Sequence, residues 1–104
     1  MSNESSYYGD DLKWLVEPSA SGFMKERDDF EVTVSRGSVE RTWSKSELSV
    51  DTEGNYYVCF STLDFGPGQY YITITTHTPD DDFEDGFRDE IFQLPLVNVK
   101  KPKK

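Results

Sequence analysis

Three features of the sequence predict an all-β fold, an antiparallel immunoglobulin-like β-sandwich of about seven strands. Runs in which apolar and polar residues alternate, Phe30-Glu-Val-Thr-Val-Ser35 the most regular of them, recur about every ten residues. Turn chemistry separates the runs, and no stretch carries a sustained helical period. The Gly66-Pro67-Gly68 corner leads straight into Tyr70-Tyr-Ile-Thr-Ile-Thr-Thr76, whose β-branched and aromatic residues suit a half-buried pleated surface. Tyr70, Ile72 and Ile74 are expected to face the core, and Tyr71, Thr73 and Thr75 to face away. A leucine, a glycine turn and a tyrosine entering a strand is also how such sandwiches turn a corner, the tyrosine hydroxyl tying back to nearby backbone. An ordinary glycine turn is the alternative.

Taken in order, residues 1–10 are polar and read as a disordered or docking arm, with Tyr7 and Tyr8 its only contact candidates. A sandwich domain is expected over 11–99. Its first strand, Asp11-Leu-Lys-Trp-Leu-Val16, sets Leu12 and Trp14 on one face. The strand ends at a turn over 17–22, where Pro18 suggests an edge. Asp28 and Asp29 precede the strand Phe30–Ser35 as turn residues. Arg36-Gly37-Ser38 then joins that strand to Val39-Glu-Arg-Thr-Trp43 as a hairpin. Trp43 is the expected central core ring. Ser44 with Glu47 has the spacing of a capping box, but five residues are too few for a stable helix, so a single turn or a short strand through Leu48 and Val50 is expected. Residues 51–55 form a turn, and Tyr56-Tyr-Val-Cys-Phe60 is the next strand, with Tyr56, Val58 and Phe60 on one face. The last strand, Ile91–Val99, contains Pro95, which forces a bulge or an edge position. The predicted core is Leu12, Trp14, Phe30, Val32, Val34, Trp43, Val58, Tyr70, Ile72 and Ile74.

With 104 residues the chain is one domain's worth of protein. Hydrophobic residues make up only 35% of it but aromatics 14%, so large rings must do the packing. A net charge of −9 argues against nucleic acid, which needs a basic footprint, and against an anionic membrane surface. The basic residues Lys100, Lys101, Lys103 and Lys104 are gathered in a C-terminal tail, 100–104, and read as a solubilising end. The single cysteine, Cys59, excludes an internal disulfide, and its place in a strand suggests a buried, inert thiol. No signal peptide opens the sequence and no run is long enough to span a bilayer, so the cytoplasm is the expected place at synthesis.

The inventory is poor for catalysis. His77 is the one histidine, beside threonines near a strand end, so any Ser-His-Asp or Cys-His unit depends on it; no enzyme and no cofactor are expected. Asp80, Asp81, Asp82, Glu84, Asp85, Asp89 and Glu90 form an acidic segment over 80–90, seven acids in eleven positions, which self-repulsion should push into solvent as a loop. Asp80, Asp81, Asp82, Glu84 and Asp85 are hard oxygen donors of the kind Ca²⁺ takes, but the spacing fails the EF-hand pattern: with Gly86 on the loop glycine, Phe92 stands where a bidentate Glu belongs. Metal binding is therefore not expected, and a calcium-dependent adhesive or carbohydrate-binding module using this loop is the alternative function. Two aromatics sit inside the acidic segment. Phe83 and Phe87 either fold back as anchors for the loop or await a partner, with Asp81 and Asp85 beside them.

Three stretches also carry a likeness: Asp11–Met24, the Arg27-Asp-Asp-Phe30 step into a strand, and the Gly68-Gln-Tyr-Tyr71 strand with Pro79–Gly86 after it. Together they resemble small β-sandwich proteins encoded in prophages of gut bacteria, similar to the N-terminal domain of phage baseplate upper proteins. The likeness spans about 11–99 and implies a structural or attachment module of a virion tail or baseplate. Its partners would be other virion proteins or further copies of itself, and it would do no chemistry. Only the lysine tail follows the sandwich, where that family continues into a fibre or receptor-binding region, so a fibre role is not expected.

Overall fold

Alternation becomes strand wherever the sequence shows it. The computed structural model of the protein describes residues 5–17 and 29–101. Among these there are eight strands: β1 (Ser5–Tyr7), β2 (Asp11–Leu15), β3 (Asp29–Arg36), β4 (Val39–Ser44), β5 (Ser49–Val50), β6 (Tyr56–Ser61), β7 (Gly68–Pro79) and β8 (Phe87–Lys100). They form a five-stranded sheet in the order β1-β8-β7-β3-β4 and a three-stranded sheet in the order β2-β6-β5. The fold is all-β, as predicted. Residues 18–22 of the expected turn with its edge proline Pro18, the turn residue Asp28, and Lys103 and Lys104 lie outside the described residues.

The eighth strand is a difference from the sequence reading. Residues 5–7, expected in an unstructured arm, run parallel to β8, with Ser5 beside Asn98 and Tyr7 beside Lys100. Polar composition hid this strand because its attachment is polar. Thr62, fully buried, accepts the Gly9 N–H at 2.7 Å and donates to the Asp10 carbonyl at 3.0 Å, and the Asp10 carboxylate takes the Ser6 hydroxyl and the Tyr7 N–H. The same pairing takes Lys100, expected in the tail, into β8.

Both sheets contribute to one core. Phe30, Val32 and Val34 of β3, Tyr70, Ile72 and Ile74 of β7, Val97 and Val99 of β8, and Val58 and Phe60 of β6 are all buried. Each such side chain, fully removed from water, contributes about 1.5–3 kcal/mol. Trp43 is buried as expected but sits on the edge strand β4, so the ring at the centre is Phe60 instead. Phe60 lies 6.2 Å from Trp43, 5.4 Å from Phe65 and 6.0 Å from Tyr70. Leu12 and Trp14 are only partly buried, because β2 is itself an edge of the smaller sheet. Cys59 is exposed, against expectation. Val58 and Phe60 turn inward, so the residue between them must turn outward, where it faces Lys13 of β2.

The local turns follow their chemistry. Gly37 and Ser38 make a two-residue hairpin between Arg36 and Val39. Ser44 and Glu47 bracket a single 3-10 turn at Lys45–Glu47, the Ser44 N–H donating to Glu47 Oε1 at 2.8 Å. Asp51 organises the 51–55 turn: its carboxylate accepts the Glu53 and Asn55 N–H groups at 2.9 Å each, the Asn55 amide at 3.1 Å and the Tyr57 hydroxyl at 3.2 Å. Donation led by the Asn55 N–H holds the Asp51 pKa down at about 2.

Candidate functional site

The most distinctive surface is the far end of the β7–β8 hairpin, and the hairpin is fixed at its base before it projects. The Tyr70 hydroxyl donates to the Gly66 carbonyl at 2.6 Å and lies 3.4 Å from the Thr62 carbonyl, so the tie to nearby backbone is present. Burial pushes the Tyr70 pKa up. Arg36 closes the corner from the other side. Its Nε donates to the Phe65 carbonyl at 2.7 Å, and its side chain lies so close that a Cβ on Gly68 would stand 2.9 Å from Arg36 Cδ. Gly66 and Gly68 also have φ of +92° and +136°, where side chains are rarely tolerated.

From that base β7 and β8 pair in register from Gly68 opposite Val99 to Pro79 opposite Phe87. Pro95 produces the expected bulge: Tyr70 is opposite Val97 and Tyr71 opposite Pro95, which leaves Leu96 unpaired in the ladder. The acidic loop is shorter than the sequence suggested. Only 80–86 turn, because Phe87, Arg88, Asp89 and Glu90 continue β8. Their partners Pro79, Thr78, His77 and Thr76 extend β7 past the alternating run, so the ladder outlasts the apolar pattern.

Within the turn two of the acids are structural. Asp80 Oδ1 accepts the Asp82 N–H at 3.0 Å, its Oδ2 is 3.1 Å from Arg88 Nη1, and its own N–H donates to the Gly86 carbonyl at 2.9 Å. Asp85 Oδ1 accepts the Phe87 N–H at 3.0 Å. These are the local side-chain to backbone bonds that Asp favours in turns. Asp81, Asp82, Phe83 and Glu84 stand at the exposed tip. Among the described residues no three His, Cys, Asp or Glu side chains are grouped to hold a metal ion. His77 Nδ1 lies 2.7 Å from Asp89 Oδ1 across the hairpin, and that hydrogen bond raises the histidine pKa.

Phe83 and Phe87 do not fold back into the core. Each is 48% exposed, one in the turn and one at the first rung of β8. The sequence reading grouped Phe83, Phe87, Asp81 and Asp85, and all four stand at the far end of the hairpin. It missed Ile91, at 70% the most exposed of the large apolar side chains described. A signal for it existed in the strand period: Phe92, Leu94 and Leu96 share the inward face, so Ile91, Gln93 and Pro95 must lie on the other. Among the described residues no helix is long and apolar enough to cross a membrane.

The fold and this surface define an all-β protein with an acidic, aromatic-bearing hairpin tip. Comparisons with protein-family models, curated proteins and solved structures found no match to the chain.

Proposed function

We propose that the protein is a non-enzymatic interaction module, which works by being bound through the tip of the β7–β8 hairpin and the adjoining sheet edge. The observation that carries this reading is the exposure of Phe83 and Phe87 on a hairpin whose base is locked by Tyr70 and Arg36. Aromatic rings held on a rigid element at little entropic cost are the usual anchors of interface cores. Acids around them steer toward a basic partner surface. The resemblance to prophage-encoded sandwiches supports placing that partner in a virion tail or baseplate assembly. The tied-back Tyr70 hydroxyl supports reading the two sheets as a variant of the immunoglobulin-like sandwich.

The test is titration of the purified protein against candidate partner proteins, basic ones first, at low and at high salt. Binding that weakens with salt and is lost in the Phe83→Ala, Phe87→Ala double variant is the expected outcome. If the folded double variant binds every detected partner as the wild type does, the tip is not the interface.

A further inference from the structure

The geometry points to a specific partner for the edge beside the tip: a second copy of this chain, joined β8 to β8 in antiparallel register about Ile91. This rests on the reading of the protein as one that works by being bound, and it names what the edge binds. Over Asn98–Lys100 the outer side of β8 is taken by β1, but over 87–97 no strand among the described residues lies against it. The Asp80 N–H to Gly86 carbonyl bond sets the phase of the ladder. In an antiparallel pair, alternate residues turn their polar groups to the partner strand, so Arg88, Glu90, Phe92 and Leu94 face β7. Asp89, Ile91 and Gln93 are left with N–H and C=O pointing outward, Phe87 with its C=O alone because Asp85 Oδ1 takes its N–H, and Pro95 likewise with its C=O alone.

Natural edges are protected by lysine, proline, bulges or charges spread across them. Pro95 and the bulge protect one end of this edge; the stretch 87–94 has neither lysine nor proline. Two of its three charges are turned onto their own hairpin, Arg88 to Asp80 and Asp89 to His77. At the centre stands Ile91, 70% exposed.

The sequence of the edge fits itself. A two-fold axis at Ile91 sets Ile91 on Ile91 of the second copy, Asp89 on Gln93 and Phe87 on Pro95, with no acid opposite an acid. Moving the two-fold axis to Glu90 or to Asp89 sets that acid on itself; moving it to Gln93 sets Ile91 on Pro95 and runs into the bulge. Antiparallel pairing also carries the acidic turn of each copy toward the Lys100 and Lys101 end of the other, so the two most charged segments meet opposite charge.

The experiment is analytical ultracentrifugation of the full chain from micromolar to millimolar concentration, with residue-resolved amide exchange at both extremes. The expected result is a monomer–dimer equilibrium in which the amides of Asp89, Ile91 and Gln93 gain protection with concentration. Ile91→Lys should weaken the dimer by about tenfold or more. Gln93→Lys serves as a second edge variant should the first fail to fold. Phe83→Ala, at the tip, should leave self-association unchanged whatever it does to other partners, so the two readings fail separately. A protein that stays monomeric at millimolar concentration overturns the inference. So does a dimer that both edge variants leave intact while those three amides exchange as in the monomer.

Discussion

Tyr70 and Arg36 hold the corner from which the β7–β8 hairpin rises, and each does so through a backbone carbonyl of the turn. Tyr70 is fully buried, with its hydroxyl on the Gly66 carbonyl; Tyr71, its neighbour, is 42% exposed. Removing one buried hydroxyl therefore deserts a half-buried acceptor, which costs about 1–3 kcal/mol. Tyr70→Phe should lower unfolding free energy by that amount in a denaturant titration. Tyr71→Phe should stay within about 0.5 kcal/mol of the wild type. Equal effects of the two would show that the corner does not depend on the tie. The tyrosine was legible in the sequence because the Leu63, Gly66, Gly68, Tyr70 spacing is short and local. The arginine was not, since nothing in the chain links position 36 to a corner thirty residues on except the fold itself.

Among the elements, the 51–55 turn shows how one carboxylate can organise a connection between β5 and β6. Asp51 is hydrogen-bonded as the anion, and its pKa is held at about 2, below the ordinary 3.8. A depressed native pKa stabilises above the unfolded value and loses that contribution as pH falls through the folded one. The advantage of Asp51 is therefore complete above about pH 4 and gone below about pH 2. Asp51→Asn should melt below the wild type at neutral pH, and the difference in melting temperature should close over that acid window. A gap independent of pH would mean that the carboxylate charge is not what orders the turn. The strands themselves were largely legible, β3, β4 and β6 nearly to the residue and β7 over its apolar middle, because two-residue alternation is a local signal. What was not legible depended on partners distant in sequence. β1 exists because Thr62 and Lys100 receive it, and the β7–β8 ladder runs on to Pro79 and Phe87 through residues with no apolar pattern.

For the whole molecule, the two sheets differ in what they expose. The core cluster spans both, yet the charged and exposed aromatic features concentrate on one hairpin of the larger sheet. Phe83, Phe87, Asp81 and Asp85 were legible as a group because aromatics stand out in an acidic run. That the rings stay in solvent instead of folding back was decided by the ladder, which keeps Phe87 opposite Pro79 and carries the turn beyond the core. On the proposed reading, this hairpin is where the protein is held by others. The most direct measurement is amide hydrogen exchange along the chain, free and in complex with any partner found by titration. Protection should be gained over the 80–86 turn and the outward amides of β8, with β2, β6 and β5 unchanged. Protection confined to the three-stranded sheet, with the hairpin tip exchanging as freely as before, would contradict it.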